Sequence, residues 1–372
     1  MDGENAVIAS NLTRLRSARG LSQTELARKS GISRVALGKI ERAEWIPRTD
    51  TLQALATELG VPVRELVTPV AILKSVRFRA RKQVQGREDI LAEVAAWLRD
   101  FAWLEKELGE EKNYRLAGLK DISASPSVLA GRARAVLGLK QQDPILDICE
   151  LFEDNGIRVH LLERATDAFF GLSIGPEDAG PAVVVNTWNR ISVERWIFTA
   201  AHELGHLLLH INSFDRNEAH EPSQQEKEAD AFAGHFLMPQ PFFVNEWEKT
   251  SGLSLLDRVL KVKRIFHVSY KTVLHRLVEN RQVDSRVWQF FQLQHRNRYG
   301  KTLGKSDEPL ALVSLRRSEE PDRLSNSDFV EDRLSRLVRQ AFERGLITIV
   351  RAAEILRLGP NEMRQRAKVW AT

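Results

Sequence analysis

Two histidines and a glutamate near the middle of the chain have the spacing of a catalytic metal site. Residues 195–211 read RWIFTAAHELGHLLLHI, in which His202 and His206 lie four positions apart. On a helix these two side chains fall on one face and can bind a single metal ion together. Glu203 lies about 100° further round the helix, where it can take a proton from a water molecule that the metal activates. The pattern therefore predicts metal-assisted hydrolysis.

The third metal ligand is expected on a second helix further along the chain. Residues 224–239 read QQEKEADAFAGHFLMP, and Glu226 and Asp230 share one face of this helix. Two histidines and a glutamate form a catalytic zinc set that leaves a fourth position for water. We favour Glu226 as the third ligand over Glu228, and we expect Asp230 to hydrogen-bond a ligand histidine and orient it. The alternative is that these carboxylates only form a solvated helix face.

A further histidine, His210, ends the apolar stretch that contains the HELGH motif. It lies eight residues after His202. We expect it at the C-terminal end of the helix, where an imidazole interacts favourably with the helix dipole. On this prediction His210 does not bind the metal.

The composition excludes several classes of protein. The chain has 372 residues, of which 43% are apolar and 28% charged, which is typical of a soluble chain of two or three domains. Its apolar runs are too short to span a membrane, and its N-terminus lacks the basic and apolar blocks of a secretory signal. Because Cys149 is the only cysteine, an intrachain disulfide and a thiolate zinc cluster are both excluded. We expect a cytoplasmic protein without a membrane partner.

The charge is only mildly basic but is concentrated in one segment. The formal net charge is +5, and the run KSVRFRARK at residues 74–82 contains five basic residues and no acidic one. We interpret this run as a solvated face between domains. A phosphate-contacting arm beside a DNA-binding domain is the alternative, because a local cluster of charge decides affinity for phosphate more than the net charge does.

Most of the chain has the apolar spacing of helices, interrupted by one short region typical of strands. A long amphipathic helix is predicted over residues 87–112, shorter helices over 127–137 and 144–155, and a C-terminal helical piece around 328–370. Strands are predicted at 157–162, 169–174 and 182–186, where β-branched or aromatic runs are bounded by Gly, Pro and Asp. We expect residues 182–186 to form a sheet edge that an extended substrate joins by main-chain pairing.

The first part of the chain contains the signals of two short helices joined by a tight turn. Ser22 and Glu25 form a capping box, Gly31 ends the first helix, and a second helix over residues 34–42 follows Ser33. This is a helix-turn-helix arrangement, which places its second helix in the major groove of DNA. The predicted base contacts are Arg34, Val35 and Lys39, and the phosphate contacts Gln23 and Arg42; Ser33, which caps the second helix, completes the DNA-binding set.

Residues 8–66, with Gln-x-Glu-Leu-Ala at 23–27 and closing leucine-rich helices, resemble the XRE family of phage-repressor-type regulators. The resemblance implies binding to a double-stranded DNA operator, with a homodimer reading a palindrome. Val35 departs from it, since many members carry a hydrogen-bonding side chain there, and the base preference is therefore not defined. A helical bundle without a DNA role is the alternative.

Three segments together resemble the ImmA/IrrE-type metallopeptidases, which are often fused to XRE domains. They are the strand AVVVN at 182–186, the HELGH helix and the stretch EKEADAFAGHFLMP. The match spans roughly residues 125–245. It implies a Zn²⁺-dependent endopeptidase that cleaves a partner repressor or antitoxin protein under stress. The alternative is a non-catalytic repressor or antitoxin whose zinc domain is a sensor or a docking module.

Together these expectations describe a mainly helical chain with a small α+β zinc-metallopeptidase core and an N-terminal all-helical domain. The expected divisions are a helix-turn-helix domain at 1–68, a basic and helical linker at 69–124, the metallopeptidase domain at 125–300 and a C-terminal helical extension at 301–372. We expect residues 267–280 to belong to a plain helical scaffold, with a second, degenerate helix-turn-helix as the alternative.

Overall fold

Five helices form the first part of the chain, and local sequence signals set their boundaries. The computed structural model describes residues 2–69, 73–80, 86–119, 124–215, 222–304, 307–309 and 324–370, and omits the side chains of 2–4, 79 and 80. Within that range the first helices are α1 (Asp2–Ala18), α2 (Gln23–Lys29), α3 (Arg34–Glu41), α4 (Thr49–Leu59) and α5 (Val63–Val67).

The predicted capping signals of α2 and α3 are present. The Ser22 side chain accepts a hydrogen bond from the Glu25 backbone N–H at 3.2 Å, and the Ser22 N–H donates to the Glu25 carboxylate at 2.8 Å. Gly31 then adopts a φ of +70°, and the Ser33 hydroxyl accepts from the Ala36 N–H at 3.1 Å. The helices enclose an apolar core whose fully buried members include Leu12, Leu26, Leu37, Leu55, Leu59 and Leu66. The prediction of a helix-turn-helix is confirmed.

The chain divides into two compact units, each described by itself. Unit 1 contains residues 1–73 and 83–100, and unit 2 contains residues 74–82 and 101–372. The long predicted helix is α6 (Arg87–Leu108). It ends before Gly109, whose φ of +69° is incompatible with a continuing helix.

Unit 2 contains a sheet of four described strands, β1 (Val76–Ala80), β2 (Arg158–Leu162), β3 (Phe169–Ile174) and β4 (Ala182–Asn186). Their order is β1-β3-β4-β2. Strands β1 and β3 are antiparallel, as are β3 and β4, whereas β2 runs parallel to β4. Three of these strands were predicted within one residue of their ends.

The basic run was interpreted wrongly where it forms β1. Residues 76–80 pair with β3, so this part of the expected linker belongs to the sheet, and Arg77 is 5% exposed. The run VRFRA alternates apolar and basic residues, which is the period of a strand, and the charges obscured that signal. Residues 81 and 82 lie outside the described residues.

The expectation that residues 182–186 form a sheet edge is also wrong. Strand β4 has β3 on one side and β2 on the other. All five of its residues are buried, as a strand covered on both faces and both edges requires. Among the strands that the structure describes, the edges are β1 and β2.

Helices cover this sheet and build most of unit 2. The described helices are α7 (Pro126–Val136), α8 (Ile148–Asp154), α9 (Val193–Leu209), α10 (Ser223–Leu237), α11 (Gln240–Glu248), α12 (Leu255–Phe266), α13 (Tyr270–Glu279), α14 (Val287–Tyr299), α15 (Arg333–Glu343), α16 (Ile349–Leu356) and α17 (Pro360–Trp370). Helix α9 packs against β3 and β4 and against α10, which also contacts α7. In the part of the chain that the structure describes, we find no helix that is both long and apolar enough to cross a membrane.

Candidate metal centre and DNA-binding surface

Helices α9 and α10 bring two imidazoles and one carboxylate together. His202 and His206 lie one turn apart on α9 and are fully buried, while Glu226 lies in the first turn of α10. One ligand atom from each residue lies within 4.8 Å of the others. His206 Nε2 is 3.2 Å from Glu226 Oε1, and His202 Nε2 is 3.7 Å from Glu226 Oε2. These three residues form a His/Glu cluster of the kind that holds a divalent metal.

The other ring nitrogen of each histidine contacts a polar partner. His202 Nδ1 lies 2.7 Å from Asp230 Oδ1. His206 Nδ1 lies 2.9 Å from His210 Nδ1, and His210 Nε2 lies 3.0 Å from Glu228 Oε2. If each Nδ1 of His202 and His206 carries the proton and donates it to these partners, both Nε2 lone pairs point into the cluster. Such outer partners fix the tautomer and the ring orientation of metal-ligating histidines.

Burial favours the neutral form of His206 and of His210. It lowers the pKa of His206 well below its ordinary value, and it lowers the pKa of His210 as well. The hydrogen bond from His210 lowers the pKa of Glu228. A neutral imidazole is the form that binds a metal, so the geometry and the protonation states agree.

Glu203 is fully buried and its carboxylate is held against β3. The Ser173 hydroxyl forms a very short hydrogen bond to Glu203 Oε2 and lies 3.2 Å from the Glu203 main-chain oxygen. A Cβ atom on Gly171 would lie only 2.9 Å from Glu203 Oε1. The glycine therefore leaves the space that the carboxylate occupies. Glu203 is not among the three clustered ligand residues.

Sequence reasoning missed Arg77, which strand β1 brings to the cluster. Its Nη2 lies 3.9 Å from Glu226 Oε1, and its Nη1 donates to Gln225 Oε1 at 2.7 Å. The alternation of VRFRA could have identified the strand, but a partner more than a hundred residues away is not visible in a local pattern.

Three of the residues expected to contact DNA are exposed on α3. Arg34, Val35 and Lys39 are all exposed, and Val35 retains 68% of its accessible surface. An apolar side chain so exposed at the start of a recognition helix is suited to a thymine methyl group. Their arrangement forms a surface that can approach the major groove.

The other expected DNA contacts are engaged within unit 1. Gln23 donates to Glu41 at 2.6 Å, and Arg42 forms an exposed ion pair with Glu44 at 2.7 Å. Ser33 caps α3. To contact a phosphate, Gln23 and Arg42 would have to exchange these carboxylate partners for it.

A capped helix-turn-helix and a sheet-backed HELGH helix in one chain define a DNA-binding regulator with a metallopeptidase-type domain. Comparison with known families agrees, since a helix-turn-helix family model matches residues 12–66 and the IrrE N-terminal-like domain of peptidase family M78 matches residues 153–278. The chain belongs to the helix-turn-helix transcriptional regulators and carries an IrrE-like domain.

Its similarity to individual proteins covers limited parts of the chain. It is 44% identical over 63 residues to the uncharacterized HTH-type transcriptional regulator y4dJ of Sinorhizobium fredii, covering 17% of this chain and 82% of that protein. It is 40% identical over 62 residues to the HTH-type transcriptional regulator SutR of Escherichia coli, covering 17% of this chain and 35% of that protein. A solved Mycobacterium tuberculosis transcriptional regulator is 21% identical with a TM-score of 0.31, covering 48% and 52% of the two chains.

Proposed function

We propose that the chain is a DNA-binding regulator whose IrrE-like domain is a zinc endopeptidase acting on a partner repressor or antitoxin. The observation that carries this proposal is the juxtaposition of His202, His206 and Glu226 with a separate buried carboxylate, Glu203, on the same helix. A site that only bound a metal would have no use for Glu203.

The donor set fits zinc. Two imidazoles and a carboxylate are a common set of protein ligands for catalytic zinc, and they leave one coordination position open. The contacts of His202 with Asp230 and of His206 with His210 direct the Nε2 atoms toward the carboxylate of Glu226. A zinc ion held there would lower the pKa of a water molecule to ~7 and polarise a peptide carbonyl.

Within this proposal Glu203 is the proton acceptor. The Ser173 hydroxyl donates to Oε2 and holds the carboxylate, while the absence of a side chain at Gly171 leaves room for Oε1. Fixing a general base in this way contributes to rate because the acceptor needs little reorganisation when the proton moves. The proton then passes from Glu203 to the amine of the departing peptide segment.

Strand β1 is the proposed docking edge for the substrate. Arg77 links this strand to Glu226, so β1 is the edge that adjoins the cluster, and among the described strands it pairs only with β3. An extended peptide can add to such an edge by main-chain hydrogen bonds. A flexible linker in the partner protein has the required conformation.

The burial of three side chains of the site favours a second candidate function. His202, Glu203 and His206 are each 0% exposed, and the Glu226 side chain keeps 18% of its surface, so only a small part of the site is open to a peptide. Such a site suits a sensor whose metal occupancy changes repression without cleavage. In either function unit 1 binds a DNA operator, and we propose a homodimer because one recognition helix covers only a few base pairs.

Two variants separate these functions. Zinc content of the purified full-length protein is measured for the wild type, for His206→Ala and for Glu203→Gln. We expect His206→Ala to lose zinc and Glu203→Gln to retain it. A wild-type protein that binds no zinc after metal-free purification and re-addition would overturn both functions.

The same variants are then scored on a reporter under the native operator. If cleavage of a partner relieves repression, the zinc-retaining Glu203→Gln protein stays locked in repression and the partner remains intact. If Glu203→Gln regulates like the wild type whereas His206→Ala does not, the domain is a sensor and the peptidase proposal fails.

A further inference from the structure

The last three helices repeat the turn geometry of the N-terminal helix-turn-helix. In the N-terminal turn between α2 and α3, Gly31 has a φ of +70° and the Ile32 N–H donates to the Ala27 carbonyl, five residues earlier, at 3.0 Å. In the turn between α16 and α17, Arg357 has a φ of +55° and the Leu358 N–H donates to a carbonyl five residues earlier, also at 3.0 Å. The turn between α16 and α17 therefore has the same construction as the turn between α2 and α3.

The preceding turn is repeated as well. Gly20 and Gly345 both have a left-handed φ, +64° and +70°. Each is followed by a leucine whose N–H donates to a carbonyl five residues earlier, at 3.2 Å for Leu21 and 2.9 Å for Leu346. Helix α16 then begins at a hydroxyl cap, Thr348, as α2 does at its serine. Helices α15–α17 thus repeat both turns of α1–α3, although the two turns are twelve residues apart instead of eleven, and α15 packs on α16 whereas α1 packs on α3.

Equivalent positions in the two units are buried. Leu26 in α2 and Leu37 in α3 are 0% exposed, and so are their counterparts Ala352 in α16 and Met363 in α17. In both sets the first residue lies five positions before the left-handed residue of the second turn and the second residue six positions after it. The correspondence therefore extends from the main chain to the side chains that hold the helices together.

Turn geometry alone does not identify a DNA-binding helix, because the chain contains a third example. Between α12 and α13, His267 has a φ of +53° and the Val268 N–H donates to the Lys263 carbonyl at 3.1 Å. Helix α13, however, buries five of its ten residues, namely Tyr270, Val273, Leu274, Arg276 and Leu277. Such burial suits a structural helix, whereas α17 buries only Met363 among its eleven residues.

The outward face of α17 carries side chains that recognise DNA. Asn361, Arg364, Gln365 and Lys368 are all exposed and recur at helical spacing. Three of them correspond by the turn alignment to Val35, Lys39 and Arg42. Asn and Gln pair with adenine, and Arg and Lys contact phosphate.

The surrounding unit is strongly basic. Residues 333–370 contain nine Lys and Arg residues and three Asp and Glu residues, a formal charge of +6 against +5 for the whole chain. The rest of the chain is therefore close to neutral. Such a concentration of charge on one small helical unit favours a polyanion as its partner.

We propose that α15–α17 form a second DNA-binding unit, with α17 as the helix that enters a groove of double-stranded DNA. These three helices contain none of the candidate metal-site residues, so their binding to DNA would depend neither on zinc nor on peptidase activity. The full-length chain then carries two different DNA-contacting helices, α3 and α17.

The test is the salt dependence of DNA binding by the full-length protein. Fluorescence anisotropy is measured with a labelled duplex of random sequence for the wild type and for Arg364→Ala/Lys368→Ala. Losing two phosphate contacts should lower the slope of log affinity against log salt by about 2, and the affinity at 0.1 M salt by at least about tenfold. A matched control, Lys261→Ala/Arg296→Ala, removes two exposed charges that lie outside helices α1–α5 and α15–α17 and should behave as the wild type.

The same test in a protein that already lacks two α3 side chains makes the result independent of α3. Adding Arg364→Ala/Lys368→Ala to Arg34→Ala/Lys39→Ala should remove most of the remaining affinity. Unchanged slopes, or a loss equal to that of the matched control, would overturn the proposal and leave the basic face to a protein partner. Because the substituted side chains are exposed, the thermal unfolding of these variants should coincide with that of the wild type. Asn361→Ala/Gln365→Ala removes no charge, so it should alter the preference for DNA sequence without altering the salt slope.

Discussion

Arg77 and Ser173 are direct cross-strand partners in β1 and β3, and each contacts one of the two carboxylates of the candidate site. Ser173 donates to Glu203, and the guanidinium of Arg77 lies 3.9 Å from Glu226. Side chains of directly opposed residues point to the same face of a sheet. The register of this strand pair therefore places one contact beside Glu203 on α9, the proposed proton acceptor, and one beside Glu226 on α10, the proposed third ligand.

A methyl group at Gly171 should disable Glu203 without affecting metal binding. In Gly171→Ala the new Cβ would lie 2.9 Å from Glu203 Oε1, 2.6 Å from Thr199 Cγ2 and 2.9 Å from the Val184 main-chain oxygen, so the carboxylate and its neighbours must shift. We expect zinc content to stay at the wild-type level and peptidase activity to fall by roughly 100-fold, since a displacement of about 1 Å is enough to cause such a loss.

The control for this variant is Gly131→Ala on α7, where an added Cβ meets nothing within 4 Å. This substitution should leave activity unchanged and should slightly stabilise the helix. Wild-type activity in Gly171→Ala would contradict the assigned position of Glu203.

Zinc binding should distinguish Glu226 from Glu228. We expect Glu226→Gln to abolish stoichiometric zinc, because the amide replaces the only carboxylate within 4.8 Å of both Nε2 atoms in the described cluster. Glu228 contacts His210 instead, so Glu228→Gln should weaken zinc binding by no more than the 10- to 100-fold loss typical of outer-shell groups. Isothermal titration with zinc measures both, and the opposite order would make Glu228 the third ligand.

The motifs in the sequence predicted the centre of the site because each depends on local spacing. The four-residue interval between His202 and His206 fixes their relative position on any regular helix, and the cap at Ser22 and the glycine at Gly31 fix the first turn in the same way. Contacts between distant segments could not be predicted from local spacing. The pairing of Arg77 with β3 depends on strand register, and register is set by partners far away in sequence.

The same distinction explains the correction for β4. Strand β4 reads as a short apolar run that suits a central or an edge strand equally well, and only its neighbours β2 and β3 decide between them. Likewise the role of His210 depends on Glu228, which approaches it from another helix.

Specific DNA binding should depend on Arg34. If its guanidinium pairs with a guanine, Arg34→Ala should weaken binding to a selected operator by about 1–3 kcal/mol and binding to a scrambled duplex much less. Anisotropy titrations on the two duplexes measure the difference, with Lys261→Ala as a control for loss of one exposed charge. An equal loss on both duplexes would make Arg34 a phosphate contact, and no loss would remove α3 from the interface.

The stability of the protein should fall as the pH rises, because Glu153 is buried. Desolvation, reinforced by the Glu331 charge and opposed by Arg333, raises the pKa of this α8 carboxyl from 4.5 to about 9. Below pH 4.5 the carboxyl is protonated in both the folded and the unfolded state. Above pH 4.5 it ionises only in the unfolded chain, so stability is lost progressively until the pH reaches the folded-state pKa.

Replacing this carboxyl by an amide should remove that dependence. The contribution of Glu153 to the fall in unfolding free energy is at most about 1.4 kcal/mol per pH unit, so Glu153→Gln should be more stable than the wild type at pH 8 and similar to it at pH 4. The exposed Glu150→Gln on the same helix is the matched control and should keep the wild-type profile. Thermal unfolding followed by circular dichroism from pH 4 to pH 9 measures the three proteins, and parallel profiles for wild type and Glu153→Gln would show that Glu153 is ionised in the folded state.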